Sequence, residues 1–164
     1  MKKFLITILI ITAFAVVGCN KKKAPTQIIA TDLSVLDETT FQKLKEENKG
    51  KLIIINFFAS WCPPCKAETP DFVSVYNEYK NKNFVIIGVS IDSKKQDAID
   101  FVNEYGISFP VYMADPALQR KYGVSKVPTS FIYATDGSLS NIVEGMISKS
   151  TLRRMAQLAS GEVN

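Results

Sequence analysis

Cys62 and Cys65, separated by two residues, are the side chains of this 164-residue chain best suited to chemistry. Thiols at that spacing can form a small disulfide ring, exchange disulfides with another molecule or bind a metal. A zinc site built from cysteine alone usually needs a second such pair, but the chain has only one other cysteine, Cys19, and no histidine. The lack of histidine also removes the usual general base and the partner of a Cys–His nucleophile. We therefore expect neither a metal nor a cofactor.

The elements that flank this pair favour an exchanging disulfide over a structural one. A bridge that closes so short a loop contributes comparatively little stability. The β-branched and aromatic run 52–58 predicts a buried strand directly before Cys62, and residues 66–79 predict a helix after it. Unpaired N–H groups and the positive dipole end of that helix would favour a Cys62 thiolate. We expect Cys62 to attack a target disulfide and the more buried Cys65 to resolve the mixed disulfide.

The N-terminal residues have the layout of an export signal. Two lysines precede an apolar run that ends at Gly18, shorter than the roughly 20 residues that span a bilayer. The sequence from Val16 to Cys19 resembles the bacterial lipobox, which implies cleavage before a lipidated Cys19. We expect a signal peptide over 1–18, a lipidated tether over 19–27 and one domain over 28–164. An ordinary secretory signal or an uncleaved anchor remains the alternative.

Composition fits one globular domain and gives no sign of nucleic-acid binding. A chain of 164 residues with 46% hydrophobic content can bury one ordinary core. Of its 20 basic residues, Lys2 and Lys3 would be lost with the signal, which leaves 18 against 16 acidic residues. This near balance of positive and negative charge leaves no excess of basic residues of the kind that binds nucleic acid.

Strand and helix patterns alternate through the remaining chain and predict a mixed sheet with helices on both faces. Asp136-Gly137 predicts a hairpin between the last two strands, and Ser148 or Ser150 is expected to cap the last helix. Pro70 is expected to kink the helix that follows the cysteines. The predicted strands are a short one within 28–36, then 52–58, 84–91, 109–113, 129–134 and 139–144. The predicted helices are 37–48, 66–79, 96–105, 116–122 and 148–158.

The sequence from Asn56 to Pro70 resembles the thioredoxin superfamily, and closely its TlpA/ResA-like membrane-bound branch. The resemblance continues through 88–92, 105–110 and 122–129, and it covers roughly residues 33–158. It implies an α/β thioredoxin-like fold, in which a mixed central sheet is flanked by helices and a strand–helix element is inserted around 92–113. It also implies a thiol–disulfide oxidoreductase.

The same resemblance implies a substrate-binding region beside the cysteines. Val127-Pro128 would be a cis peptide that faces them, and the backbone before Pro128 would pair with a bound substrate strand. A trans proline at a strand edge is the alternative. Trp61, adjacent to Cys62, would contact the partner rather than merely cover the end of the sheet.

Glu68 is the candidate acid of the site. It lies three residues after Cys65 on the same helix face, where it could exchange a proton with the thiol or raise the thiol pKa by repulsion. A solvated glutamate near a helix N-terminus is the alternative. Asn56 stands where classical thioredoxins have a buried acid, so we expect it to provide polar support.

These observations predict an extracytoplasmic enzyme, lipid-anchored in the cell membrane, that exchanges disulfides with exported proteins. The resemblance implies that it acts as a reductant of exported or apocytochrome disulfides. Apocytochrome c is one candidate partner, a membrane thiol protein is the expected electron donor, and we expect a monomer. Two other functions remain. One is a thiol peroxidase, although the Pro and Thr typical upstream of its cysteine are missing. The other is a metal- or haem-binding lipoprotein, for which histidine and a third ligand are lacking.

Overall fold

The computed structural model of the chain describes residues 30–162. Cys19, the predicted signal peptide and the 19–27 tether lie outside these residues, so they remain predictions. The strands are β1 (Val35–Leu36), β2 (Leu52–Phe58), β3 (Phe84–Ser90), β4 (Val111–Ala114), β5 (Thr129–Tyr133) and β6 (Leu139–Glu144). The helices are α1 (Glu38–Glu47), α2 (Pro63–Tyr79), α3 (Lys95–Glu104), α4 (Pro116–Lys121) and α5 (Lys149–Ala159).

The six strands form one mixed sheet in the order β1-β4-β3-β2-β5-β6. The central strand β2 pairs in parallel with β3 and antiparallel with β5. Strands β5 and β6 form the predicted antiparallel hairpin, and Gly137 in its turn has a φ of 85°, which glycine adopts without steric cost. The mixed sheet predicted from the sequence is confirmed.

Hydrophobic side chains of β2 are buried on both faces of the sheet, as its continuous apolar run predicts. On one face, Ile54 and Phe58 pack with buried residues of α2, α3 and α5. On the other face, Ile53, Ile55 and Phe57 pack with residues of α1 and α4. Helices therefore cover both faces, and the end of β2 that leads to the cysteines is firmly packed.

Several element boundaries differ from the sequence prediction. The opening strand is reduced to Val35–Leu36, because its partner within residues 30–162 is the end of the short strand β4. Helix α2 begins at Pro63 rather than at residue 66, because Cys62 caps it. Of the two candidate caps for α5, Ser148 is the one that accepts a hydrogen bond from the Thr151 N–H.

The chain enters the described domain at the end of the sheet opposite the cysteines. Strands β2 and β3 run in parallel towards the cysteine end, and α3 returns from there before β4 begins. At the far end of α3, the Asn103 side chain binds the backbone of Ala30 through two hydrogen bonds of 2.8 and 3.1 Å. A segment that precedes Ala30 therefore joins the domain away from its redox pair.

None of the helices within residues 30–162 has the length and apolar character needed to cross a membrane.

Candidate active site

Cys62 and Cys65 are joined by a disulfide at the start of α2. Cys62 occupies the N-cap position with an extended backbone, and its Sγ accepts a hydrogen bond from the Cys65 N–H at 3.2 Å. Pro63 and Pro64 form the first turn, where a helical N–H has no partner to lose. Cys62 is 3% exposed and Cys65 is fully buried, so Cys62 is the slightly more accessible sulfur.

A loop that contains a cis proline packs against this disulfide. The Val127-Pro128 peptide is cis, as the sequence resemblance implies. The Val127 carbonyl oxygen lies 3.5 Å from Cys62 Sγ, so the loop does face the cysteines. The Pro128 carbonyl accepts a hydrogen bond of 2.8 Å from the Gly145 N–H, which fixes this loop against the end of β6. The pairing of this backbone with a substrate remains a prediction.

Trp61 is the prominent surface residue next to the disulfide. Its side chain is 63% exposed, whereas the adjacent Cys62 is almost completely buried. Large aromatic side chains contribute strongly to protein–protein contacts, since they bury much surface with little loss of conformational entropy. Its exposure is compatible with the predicted contact with a partner.

Glu68 is buried, so its interpretation as a solvated glutamate is wrong. The side chain is 2% exposed, and it accepts hydrogen bonds from Asn56 Nδ2 at 3.0 Å and from the Ile147 N–H at 3.1 Å. Burial disfavours the charged carboxylate and raises the pKa of Glu68 to about 7, while the hydrogen bonds from Ile147 and Asn56 act in the opposite direction. The carboxyl can therefore gain or lose a proton near neutral pH.

The polar contacts of Glu68 continue across the sheet. Asn56 on β2 faces Ser130 on the antiparallel strand β5, and its Nδ2 also donates to Ser130 Oγ at 3.0 Å. Asn56 thus provides the polar support expected of it. Ser130 and Ile147 were not among the residues predicted from the sequence. Neither residue carries a distinct local signal, because Ser130 follows another polar residue, Thr129, and Ile147 contributes only its backbone N–H.

Comparison with known proteins places this geometry in a family. The model described as the AhpC/TSA family matches residues 23–142. The chain belongs to the AhpC/TSA family. It is 36% identical over 135 residues to the thiol-disulfide oxidoreductase ResA of Bacillus thuringiensis strain Al Hakam. That match covers 82% of this chain and 73% of the relative.

Two further proteins that are similar to this chain carry related descriptions. The chain is 34% identical over 113 residues to the thiol-disulfide oxidoreductase ResA of Oceanobacillus iheyensis, a match that covers 68% of this chain and 58% of that relative. The crystal structure of a thiol:disulfide interchange protein of the thioredoxin family from Chlorobium tepidum TLS superposes with a TM-score of 0.66 at 35% identity. The superposition covers 71% of this chain and 85% of that chain.

These similarities confirm three predictions made from the sequence. They are the resemblance to ResA-like proteins, the thioredoxin-like fold and the enzyme class, a thiol–disulfide oxidoreductase with the pair Cys62–Cys65. The roles of Glu68, Trp61, Val127 and Pro128 are not tested by them.

Proposed function

We propose that this protein reduces disulfides of exported proteins, with Cys62 as the attacking sulfur and Cys65 as the resolving one. The observation that carries the proposal is the N-cap position of Cys62, whose Sγ accepts the Cys65 N–H at 3.2 Å. In the reduced protein, the same N–H and the helix dipole would stabilise a thiolate on Cys62. The thiolate is the form that attacks a disulfide.

The reaction transfers two electrons from the dithiol to the target. The Cys62 thiolate attacks one target sulfur, so that a mixed disulfide forms and the other target sulfur leaves as a thiolate. Cys65, once deprotonated, attacks Cys62 Sγ, which breaks the mixed disulfide and releases the second target sulfur. The target gains two thiols, the enzyme gains the Cys62–Cys65 disulfide, and an external dithiol must reduce it again.

Glu68 is proposed to accept the proton that Cys65 loses in the resolving step. Both side chains are buried on the same face of α2, three residues apart, where bulk water cannot readily remove this proton. A pKa of about 7 suits a group that accepts and returns protons at neutral pH. Asn56 and the Ile147 N–H hold the carboxyl in place without neutralising it.

The target is proposed to bind along the loop that precedes Pro128. An extended segment with a disulfide could pair with the Val127 backbone, and it would then lie close to Cys62, whose Sγ is 3.5 Å from the Val127 carbonyl. Trp61 would contact the same segment from the other side of the disulfide. The proposal thus requires a target region that can become extended.

The location proposed is the extracytoplasmic face of the cell membrane. Its support is the sequence pattern of residues 1–27, with lipidation at Cys19, together with the entry of the chain at Ala30, away from the redox pair. The cysteines of a monomer held in this way could face away from the membrane. Exported proteins are then the accessible targets, apocytochromes c with their CxxCH motif among them, and a membrane thiol protein is the proposed electron donor.

Trapping with Cys65→Ser in cells of the source bacterium tests this function. Without Cys65, the mixed disulfide on Cys62 cannot resolve, so we expect exported proteins to be captured. The double variant Cys62→Ser, Cys65→Ser should capture none of them. Capture of cytoplasmic proteins alone would contradict the proposed location, whereas capture of CxxCH-bearing apocytochromes would identify cytochrome c maturation as the process.

Peroxide consumption by the purified, reduced protein separates this function from that of a thiol peroxidase. We expect peroxide to be consumed no faster than by free dithiol at the same concentration, because the Pro and Thr typical upstream of a peroxidase cysteine are missing and Trp61 directly precedes Cys62. Rapid consumption that depends on Cys62 would instead favour the peroxidase.

A further inference from the structure

Asp92 is a buried carboxyl group with no part in the chemistry described so far. It is 6% exposed and follows the end of β3. Its two carboxylate oxygens accept hydrogen bonds from the Ser60 main-chain N–H at 3.2 and 3.0 Å, and one of them accepts a further bond from the Ser60 hydroxyl at 2.8 Å. Asp92 therefore binds the residue that lies two positions before Cys62.

Asp92 is itself anchored at the end of β3. Its carboxylate accepts a hydrogen bond from Ser90 Oγ at 2.8 Å, and its own N–H donates to the same hydroxyl at 3.0 Å. The neighbouring Ile91 N–H donates to the Phe58 carbonyl at 2.9 Å. The turn that follows β2 is thus fastened to the adjacent strand β3 through a side chain as well as through the backbone.

The hydrogen-bond donors that Asp92 uses are uncharged. None of the ion pairs found within residues 30–162 involves Asp92. A buried carboxylate without a cation costs free energy of solvation, which its hydrogen bonds must offset. A carboxylate is nevertheless suited to this position, because its two oxygens can accept the Ser60 N–H and two hydroxyls at once.

The turn held by Asp92 carries the attacking cysteine. Residues 59–62 form this turn. The Cys62 N–H closes it by donating a hydrogen bond of 3.2 Å to the Ala59 carbonyl. We propose that Asp92 is a positioning residue, which acts through Ser60 to fix Trp61 and Cys62 relative to the loop before Pro128. The proposal rests on disulfide exchange at Cys62, and it is independent of the direction of electron flow and of cellular location.

The restraint matters most in the reduced enzyme. In the oxidised enzyme the Cys62–Cys65 bond ties the turn covalently to α2. Reduction removes that bond, and the bonds between Asp92 and Ser60 are then among the remaining contacts that hold Cys62 at the helix N-terminus. Loss of Asp92 is therefore expected to affect the reduced form more than the oxidised one.

Trp61 allows the turn to be observed directly, because it is the only tryptophan in the sequence. Time-resolved fluorescence anisotropy of the mature chain would be recorded in the oxidised and reduced forms of Asp92→Ala and Asp92→Asn, with the exposed Asp97→Ala as the matched control. In reduced Asp92→Ala we expect fast local motion of Trp61. We also expect the rate constant of Cys62 with a small disulfide to fall about tenfold, since misplacement of a reacting group is costly.

Asp92→Asn should restore most of the rigidity of Trp61 and most of the rate constant of Cys62, because its amide oxygen still accepts the Ser60 N–H. The control Asp97→Ala should resemble the wild type in both measurements. A reduced Asp92→Ala that is as rigid and as reactive as the wild type would overturn the proposal. Equal impairment of the Ala and Asn variants would also overturn it, since loss of charge rather than loss of position would then be the cause.

A second pair of variants applies if Asp92→Ala does not fold. Ser60→Ala removes the hydroxyl bond on the side of the turn and keeps the bonds of the Ser60 N–H, whereas Ser90→Ala removes two bonds on the side of β3 and leaves every bond between Ser60 and Asp92 in place. Ser60→Ala should therefore increase the fast local motion of Trp61 more than Ser90→Ala does. Equal effects of the two would contradict the proposal. The anisotropy requires no protein substrate, so this result does not depend on whether exported proteins prove to be the targets.

Discussion

At the scale of single residues, the protonation of Glu68 links the site to stability. The group titrates near 4.5 when exposed to solvent, but burial raises its pKa to about 7 in the fold. Between these two values the folded protein binds a proton that the unfolded chain has released. The free energy of unfolding therefore falls as the pH rises through this window, and the effect levels off above about 7.

Glu68→Gln should remove this pH dependence. From pH 5 to pH 8, the wild type should lose up to about 3 kcal/mol of unfolding free energy through Glu68 alone, given 1.36 kcal/mol for each unit of pKa shift. Urea unfolding at both pH values measures this loss in the wild type, in Glu68→Gln and in the exposed Glu104→Gln. An equal decline in all three proteins would show that Glu68 is already ionised at pH 5.

Trp61→Ala tests the role of the exposed aromatic side chain. We expect KM for a protein disulfide to rise about fivefold to tenfold, the effect of losing a contact worth more than 1 kcal/mol, while kcat changes little. The free energy of unfolding should change by less than about 0.5 kcal/mol, because the side chain lies at the surface. An unchanged KM would leave Trp61 without a part in binding.

At the scale of elements, the residue that precedes the N-cap of helix α5 supplies a contact to the buried acid. The Ile147 N–H donates to Glu68, and the next residue, Ser148, is the N-cap of α5. Ser148 Oγ accepts the Thr151 N–H at 3.2 Å, and thereby fixes the first turn directly after the contact. The start of α5 and the position of the Glu68 carboxyl are thus coupled.

Ser148→Ala should therefore cost more stability than Ser150→Ala. The loss of an N-cap typically costs about 1 kcal/mol, whereas an exposed serine within the first turn should cost a few tenths. Thermal or urea unfolding of both variants measures the difference. Equal losses would mean that the hydroxyl of Ser148 is not the cap in solution.

Elements with strong local signals could be predicted from the sequence. The apolar run of β2 and the Asp-Gly turn of the last hairpin depend on residues close together in the chain. The first and last residues of the two-residue strand β1 could not be predicted from the sequence, because its length depends on the short partner strand β4. The start of α2 was placed three residues late, since Cys62 takes the capping role usually filled by Ser, Thr, Asp or Asn.

At the scale of the whole molecule, the sheet brings together residues that are far apart in the sequence. Cys62 contacts Val127, which lies 65 positions later in the chain, and Glu68 is hydrogen-bonded to Ile147, which lies 79 positions later. The pair Cys62–Cys65 could be predicted from its spacing, and the loop at Pro128 from family resemblance. The partners Ile147, Ser130 and Asp92 could not, because those contacts depend on strand register and loop placement.

Insulin reduction by the reduced protein tests the central claim, that Cys62 at the start of α2 performs the exchange. With an excess of dithiol at pH 7, the wild type should reduce insulin repeatedly and Cys62→Ser should be inactive. Reduced Cys65→Ser, freed of excess dithiol before insulin is added, should form a mixed disulfide through Cys62 that mass spectrometry detects. Wild-type protein that fails to reduce insulin, or a Cys62→Ser variant that reduces it as fast as the wild type, would contradict the account.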